Sequence, residues 1–183
     1  MSASKRRLLV AGVGLAAAGL GLGWALRRQL SQPTGEDVVD SAPAPADLWR
    51  QRFETPDGGE IALAAFRGRP LVLNFWATWC APCILELPEF SAKYNLFKQN
   101  GATILAVNAA EKEPVVQDFA KRSKLAFPLM VDTAGTTKRA YGVTALPVTL
   151  IIDRNGIVRD KIGDESSAAQ LIARMQAAAK KAS

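Results

Sequence analysis

Asn74-Phe75-Trp76-Ala77-Thr78-Trp79-Cys80-Ala81-Pro82-Cys83 contains both cysteines of the chain and closes an apolar run that begins at Leu71. A short, near-continuous apolar run that ends at a turn reads as a buried strand over Leu71–Trp76. Pro82 then stands where the first turn of a following helix tolerates a residue without an N–H. A thiolate on Cys80 would face unpaired backbone N–H groups and the positive end of the helix dipole, which lowers its pKa and keeps it nucleophilic. Cys83, three residues on, lies about one helical turn away, close enough to attack a mixed disulfide formed by Cys80 and release the partner. The spacing therefore predicts Cys80 as an exposed attacking thiol and Cys83 as a buried resolving thiol, with Trp79 and Pro82 shaping the site. A static disulfide, or two unrelated buried thiols, are the other readings of the same spacing, although so short a loop stabilises little by chain entropy.

After the cysteines, residues 82–99 read as a helix broken or kinked at Pro88. Next come a strand over 103–108, a helix over 114–123, a strand over 127–131 and a short helix over 135–141. Strands at Val148–Ile152 and Ile157–Ile162 follow, joined by an Asp153-Arg154-Asn155-Gly156 turn, and a helix over 166–180 ends the chain. Before the cysteines, residues 60–65 read as a short strand, and the folded domain is expected to start near Leu48. Strand-helix-strand order followed by a hairpin predicts an α/β fold with a mixed sheet and helices on both faces.

Residues 8–26 are an uncharged run of Leu, Val, Ala and Gly with one Trp, bracketed by Lys5-Arg6-Arg7 and Arg27-Arg28. As a helix this run would extend roughly 28 Å, close to the hydrocarbon thickness of a bilayer. Residues 1–29 are therefore expected to form a cytoplasmic tip and a transmembrane anchor, with a signal peptide cleaved near Ala16-Ala17-Ala18 as the alternative. The slight excess of Lys and Arg before the run favours a cytoplasmic N-terminus and export of everything after it. Residues 30–47, with Pro33, Gly35, Pro43 and Pro45, read as a flexible linker, which leaves 48–183 as the domain.

The net charge of +6 belongs to the N-terminus, because from Ser31 onward 18 basic residues face 17 acidic ones. A nucleic-acid partner is not expected on that balance. The chain has no histidine, which excludes Ser-His-Asp and Cys-His nucleophiles, two-His zinc sites and the Cys-x-x-Cys-His haem signal. Two cysteines are too few for a structural disulfide framework or an all-thiolate metal site. Neither a cofactor nor a metal is expected.

The 74–83 segment resembles the active-site segment of thioredoxin-fold proteins. A second segment, Tyr141-Gly142-Val143-Thr144-Ala145-Leu146-Pro147-Val148-Thr149, resembles the one that carries that fold's cis-proline loop. Together with the order of strands and helices, the resemblance covers about Phe53 to the C-terminus. It implies a thioredoxin-like three-layer sandwich with a mixed central sheet, preceded here by the N-terminal transmembrane helix. More narrowly, the chain resembles the membrane-anchored TlpA/ResA-like thioredoxins of bacteria, which reduce disulfides outside the cytoplasm, often in cytochrome c or oxidase maturation.

That resemblance implies a thiol:disulfide oxidoreductase on the periplasmic side of the inner membrane, acting on disulfide-containing exported proteins and re-reduced by a membrane electron donor. It also implies that Pro147 is cis and that backbone groups of Leu146 lie beside the sulfurs, where a substrate's extended chain can pair. Thioredoxin carries a buried Asp where this chain has Asn74, and an amide cannot take up or release a proton. Glu86, three residues after Cys83 and on the same helical face, is the candidate proton partner in its place. The absence of histidine between the cysteines favours a reductant. An exported disulfide-donating oxidase and a thiol-based metallochaperone are the alternatives on the same fold.

Overall fold

Leu71–Trp76 is a strand whose six residues are all buried, and the sheet is built outward from it. The computed structural model of the chain describes residues 42–43 and 48–181. The 8–26 run expected as an anchor, and most of the 30–47 linker, lie outside the described residues. In chain order the strands are β1 (Ala42–Pro43), β2 (Arg52–Glu54), β3 (Glu60–Ala62), β4 (Leu71–Trp76), β5 (Thr103–Ala109), β6 (Leu129–Asp132), β7 (Val148–Ile152) and β8 (Ile157–Ile162). The helices are α1 (Ala81–Ala92), α2 (Tyr94–Gln99), α3 (Glu113–Ser123), α4 (Thr136–Ala140) and α5 (Ala168–Lys181).

Among the described residues the strands form one sheet in the order β1-β8-β7-β4-β5-β6-β2-β3. β4, β5 and β6 run parallel, and the other pairings are antiparallel. The expected mixed sheet of a thioredoxin-like α/β fold is thus present.

Because side chains alternate across a strand, β4 feeds two cores. Val72 and Trp76 point into one, with Ile104, Ala106, Leu87, Phe90, Phe97, Val116 and Leu171. Leu71, Leu73 and Phe75 point into the other, with Leu105, Val107, Met130, Leu150 and Tyr141. β4, β5 and β6 step across the sheet in one direction, so two right-handed crossovers place α1, α2 and α3 on the same face. α5 joins them there through Leu171, Ile172 and Met175. Coverage is therefore unequal: the four longer helices share one face, while the opposite core is closed by short pieces around Leu48, Leu63, Tyr141 and Val143.

Four boundaries differ from expectation, the first being the strand read over 60–65, which ends at Ala62 and gives way to a 3-10 turn at Leu63–Phe66. Ala42–Pro43, inside the stretch read as linker, pairs antiparallel with Val158 and Ile157. β2 was not expected, and it carries a single buried residue, Phe53, between exposed Arg52 and Glu54. The helix after the cysteines runs through Pro88 and breaks instead at Lys93, between α1 and α2. Among the described residues no helix is long and apolar enough to cross a membrane.

Candidate active site

β4 ends at Trp76, and the chain turns through Ala77 to Cys80, whose N–H donates to the Ala77 carbonyl at 3.2 Å. Cys80 is the N-cap of α1, with extended backbone at φ −86° and ψ 98°, and Pro82 occupies the helix's first turn. Cys80 and Cys83 are joined in a disulfide with their Cα atoms 5.3 Å apart. The Cys83 N–H donates to Cys80 Sγ at 3.3 Å, satisfying one of the orphan donors of the helix start. The difference in accessibility is smaller than expected: in the disulfide Cys80 is 4% exposed and Cys83 0%. Both cysteines belong to the core that holds Leu87 and Phe90. The exposed residues of the segment are Trp79, at 69%, and Ala81.

Behind the cysteines lies a buried polar cluster. Asn74 Nδ2 donates to Glu86 Oε1 at 2.7 Å and to Thr149 Oγ1 at 3.0 Å. The Ser166 N–H donates to Glu86 Oε2 at 3.1 Å. Register explains how these residues meet: Asn74 of β4 pairs with Thr149 of β7, and Glu86 lies on the buried side of α1. Glu86 is 2% exposed. Burial pushes its carboxyl up from an ordinary 4.5 to about 7, against the opposing pull of the Ser166 and Asn74 hydrogen bonds. Asn74 Oδ1 is buried with no hydrogen-bond partner among the described residues.

A second carboxylate holds the turn from the other side. Glu111 accepts from the Thr78 N–H at 2.7 Å, from Thr78 Oγ1 at 2.6 Å and from Asn108 Nδ2 at 2.7 Å. Its own N–H donates to Asn108 Oδ1 at 3.2 Å. Asn108 lies opposite Trp76 in the β4–β5 ladder, so the loop after β5 naturally reaches the loop after β4. Ala110 delivers Glu111 there in a left-handed conformation, φ 68°. That conformation costs a non-glycine residue roughly 1–2 kcal/mol. Gly135 packs close by, and a Cβ there would come within 3.3 Å of the Ala110 Cβ. Sequence reading did not single out Thr78, Asn108 or Glu111, because alanine carries no signal for a positive φ.

The remaining expected site residues are accounted for. The Leu146–Pro147 peptide bond is cis. Leu146 is half-buried and packs against both cores, including the one that contains the two cysteines. Trp76 packs against Phe119 in a tilted arrangement, with ring centroids 4.6 Å apart. A cleft of about 710 Å³ lined by Thr55, Lys121, Lys124 and Phe127 shares no residue with the disulfide site. Exchange between sulfurs needs the cysteine pair itself rather than an enclosed cavity, so the Cys80–Cys83 site is the candidate. Among the described residues no group of three or more His, Cys, Asp or Glu is placed to hold a metal.

A mixed sheet with a Cys-x-x-Cys disulfide at the start of the helix after its central strand defines a protein of the thioredoxin-like class. The chain belongs to the AhpC/TSA family, whose model matches residues 44–161. The thiol-disulfide oxidoreductase ResA of Geobacillus thermodenitrificans is 43% identical over 103 residues, which is 56% of this chain and 59% of that protein. The ResA of Bacillus thuringiensis subsp. konkukian is 38% identical over 115 residues, 63% of this chain and 66% of that one. The matched stretch thus spans less than two thirds of these relatives. Among solved structures, StoA from Bacillus subtilis superposes with a TM-score of 0.60 at 28% identity, covering 68% of this chain and 94% of StoA. A thioredoxin family thiol:disulfide interchange protein from Chlorobium tepidum superposes with a TM-score of 0.65 at 27% identity, covering 76% and 97%. The TlpA/ResA-like resemblance and the thioredoxin-like fold read from the sequence agree with these findings.

Proposed function

We propose that this protein is a thiol:disulfide oxidoreductase that reduces disulfides of exported proteins. The observation that carries the reading is the Cys80–Cys83 disulfide at the start of α1, backed by the buried carboxyl of Glu86. The names of the ResA relatives and of the thiol:disulfide interchange protein from Chlorobium tepidum support it.

In the dithiol form the Cys80 thiolate attacks one sulfur of a substrate disulfide, and the other substrate sulfur leaves as a thiolate. Cys83 then gives up its proton, attacks Cys80 Sγ, closes the Cys80–Cys83 bond and frees the second substrate thiolate. Two electrons pass to the substrate, and an external dithiol donor, proposed to lie in the membrane, restores the enzyme. Glu86 with a carboxyl near 7 can accept the Cys83 proton and return it on re-reduction. Trp79 and Pro82 border the attacking sulfur, and Leu146 with Pro147 presents backbone for a substrate chain. We assign residues 1–29 as the membrane anchor, 30–47 as the tether and the periplasmic side of the bacterial inner membrane as the location, with cytochrome c or oxidase maturation as the setting.

Trapping tests the reading. The full-length Cys83→Ala protein should accumulate mixed disulfides through Cys80 with exported proteins, and Cys80→Ala should accumulate none. Absence of adducts in Cys83→Ala would overturn the exchange mechanism. A reduction potential well above that of glutathione would reverse the direction and make the protein a disulfide donor.

A further inference from the structure

The helix that begins at the redox pair turns an apolar face to solvent. The exposed residues of α1 are Ala81, Leu85, Pro88, Glu89 and Ala92, and Leu85 is 69% exposed. Steps of four, three and four place Ala81, Leu85, Pro88 and Ala92 on one side of the helix. Trp79, also 69% exposed, stands directly before Cys80. The solvent side of a surface helix is normally polar. α3 sets charged Asp118, Lys121 and Arg122 beside its exposed Pro114 and Val115, and α5 exposes Arg174, Gln176 and Lys180, whereas the row on α1 contains no charged residue. Core packing does not account for the row on α1, because that helix buries Cys83, Glu86, Leu87 and Phe90 on its other side. The one charged residue at its margin, Glu89, accepts a hydrogen bond from the Ala168 N–H at 2.9 Å.

We infer that this row, headed by Trp79, is the docking surface for the stretch of substrate chain that flanks the cysteine attacked by Cys80, and that it selects cysteines with apolar neighbours. The inference rests on the thiol:disulfide reading above. Chemistry names the occupant: a mixed disulfide bonds the partner to Cys80, the N-cap of α1, and so anchors the partner's chain at the head of the row. From Ala81 to Ala92 the helix rises roughly 16 Å, the length of about five residues of extended chain. Covering Leu85 with an apolar partner residue should favour an apolar substrate about tenfold over a polar one.

Two synthetic peptides test this, each with one cysteine activated as a mixed disulfide with thionitrobenzoate. One has Leu and Ala flanking the cysteine, the other Ser and Gln. Full-length protein in the dithiol form is mixed with each, and thionitrobenzoate release is timed. Cys80 displaces thionitrobenzoate and forms the peptide adduct, and Cys83 then displaces the peptide thiolate and closes the enzyme disulfide. The apolar peptide should react about tenfold faster. Leu85→Lys and Leu85→Glu should each bring that ratio close to one. Val115→Lys, at a residue of α3 that is 45% exposed and off the row, should keep it. Equal rates for the two peptides, or a preference that survives both Leu85 variants, overturns the docking surface while the exchange reading stands. Rates no faster than those of a simple monothiol with either peptide would remove both.

Discussion

Glu86 and Glu111 both reach the segment that carries the cysteines, and they are held in different ways. Glu86 comes from within α1, is 2% exposed and accepts two hydrogen bonds, from Asn74 and Ser166. Two donors do not offset its burial, and the carboxyl stays near 7. Glu111 comes from the loop after β5, is half-buried and accepts three hydrogen bonds, two of them from Thr78. The donors supplied to each carboxylate fit the roles we propose: proton exchange for the sparsely solvated Glu86, and support of the turn before Cys80 for the fully engaged Glu111.

Glu86→Gln should have the largest effect. The folded state holds the Glu86 proton more tightly than the unfolded chain does. Its contribution to stability is therefore full below about 4.5, falls as pH rises towards about 7, and stays low above that. The amide removes the titration, so urea unfolding above pH 7 should show the variant more stable by up to about 3 kcal/mol, less the lost Ser166 hydrogen bond. The inflection near pH 7 in the rate of disulfide reduction should vanish with it. A variant that keeps the wild-type pH profile would end the proton role.

Glu111→Gln should come next, because an amide oxygen cannot replace two carboxylate oxygens that serve three donors. The expected cost is about 1–3 kcal/mol in urea unfolding, with about tenfold slower mixed-disulfide formation as the turn loosens. The inflection near pH 7 should remain, and its loss here would blur the distinction between the two residues. Thr78→Val should have the smallest effect, about 1 kcal/mol, since it removes one of the two hydrogen bonds that Thr78 gives to Glu111. In the Glu111→Gln background that cost should shrink by about 0.5 kcal/mol or more. Full additivity would show that Thr78 and Glu111 do not act as a unit.

Much of this was legible in the residues. β4 and β7 fall on the expected bounds because they are apolar runs buried on both faces, and β8 does because the Asp153–Gly156 turn sets its start. The cysteine pair and Glu86 were legible because their spacing is that of one helix. β2 was not, since only Phe53 of its three residues is buried and a period cannot be read from one apolar residue. The helix does not break at Pro88, which lies on the exposed side of α1, where a helix carries a proline at less cost than at a packed interface. Glu111 escaped notice for a different reason: its role is set by Ala110 at positive φ and by Gly135 packed beside it, a conformation that alanine does not announce.

The margins of the sheet carry one more consequence. On one side β1 is two residues long and ends at Pro43, which has no N–H to offer a neighbour. Beyond Val158, the same margin presents Arg159, Asp160 and Lys161 of β8. On the other side β3 is three residues long, with Glu60 paired to Arg52. Short, charged and proline-terminated margins of this kind are poor templates for another strand, which protects the folded chain against amyloid-like stacking. A protein that keeps Trp79 and Leu85 in solvent can then meet other chains at α1 without polymerising through its sheet.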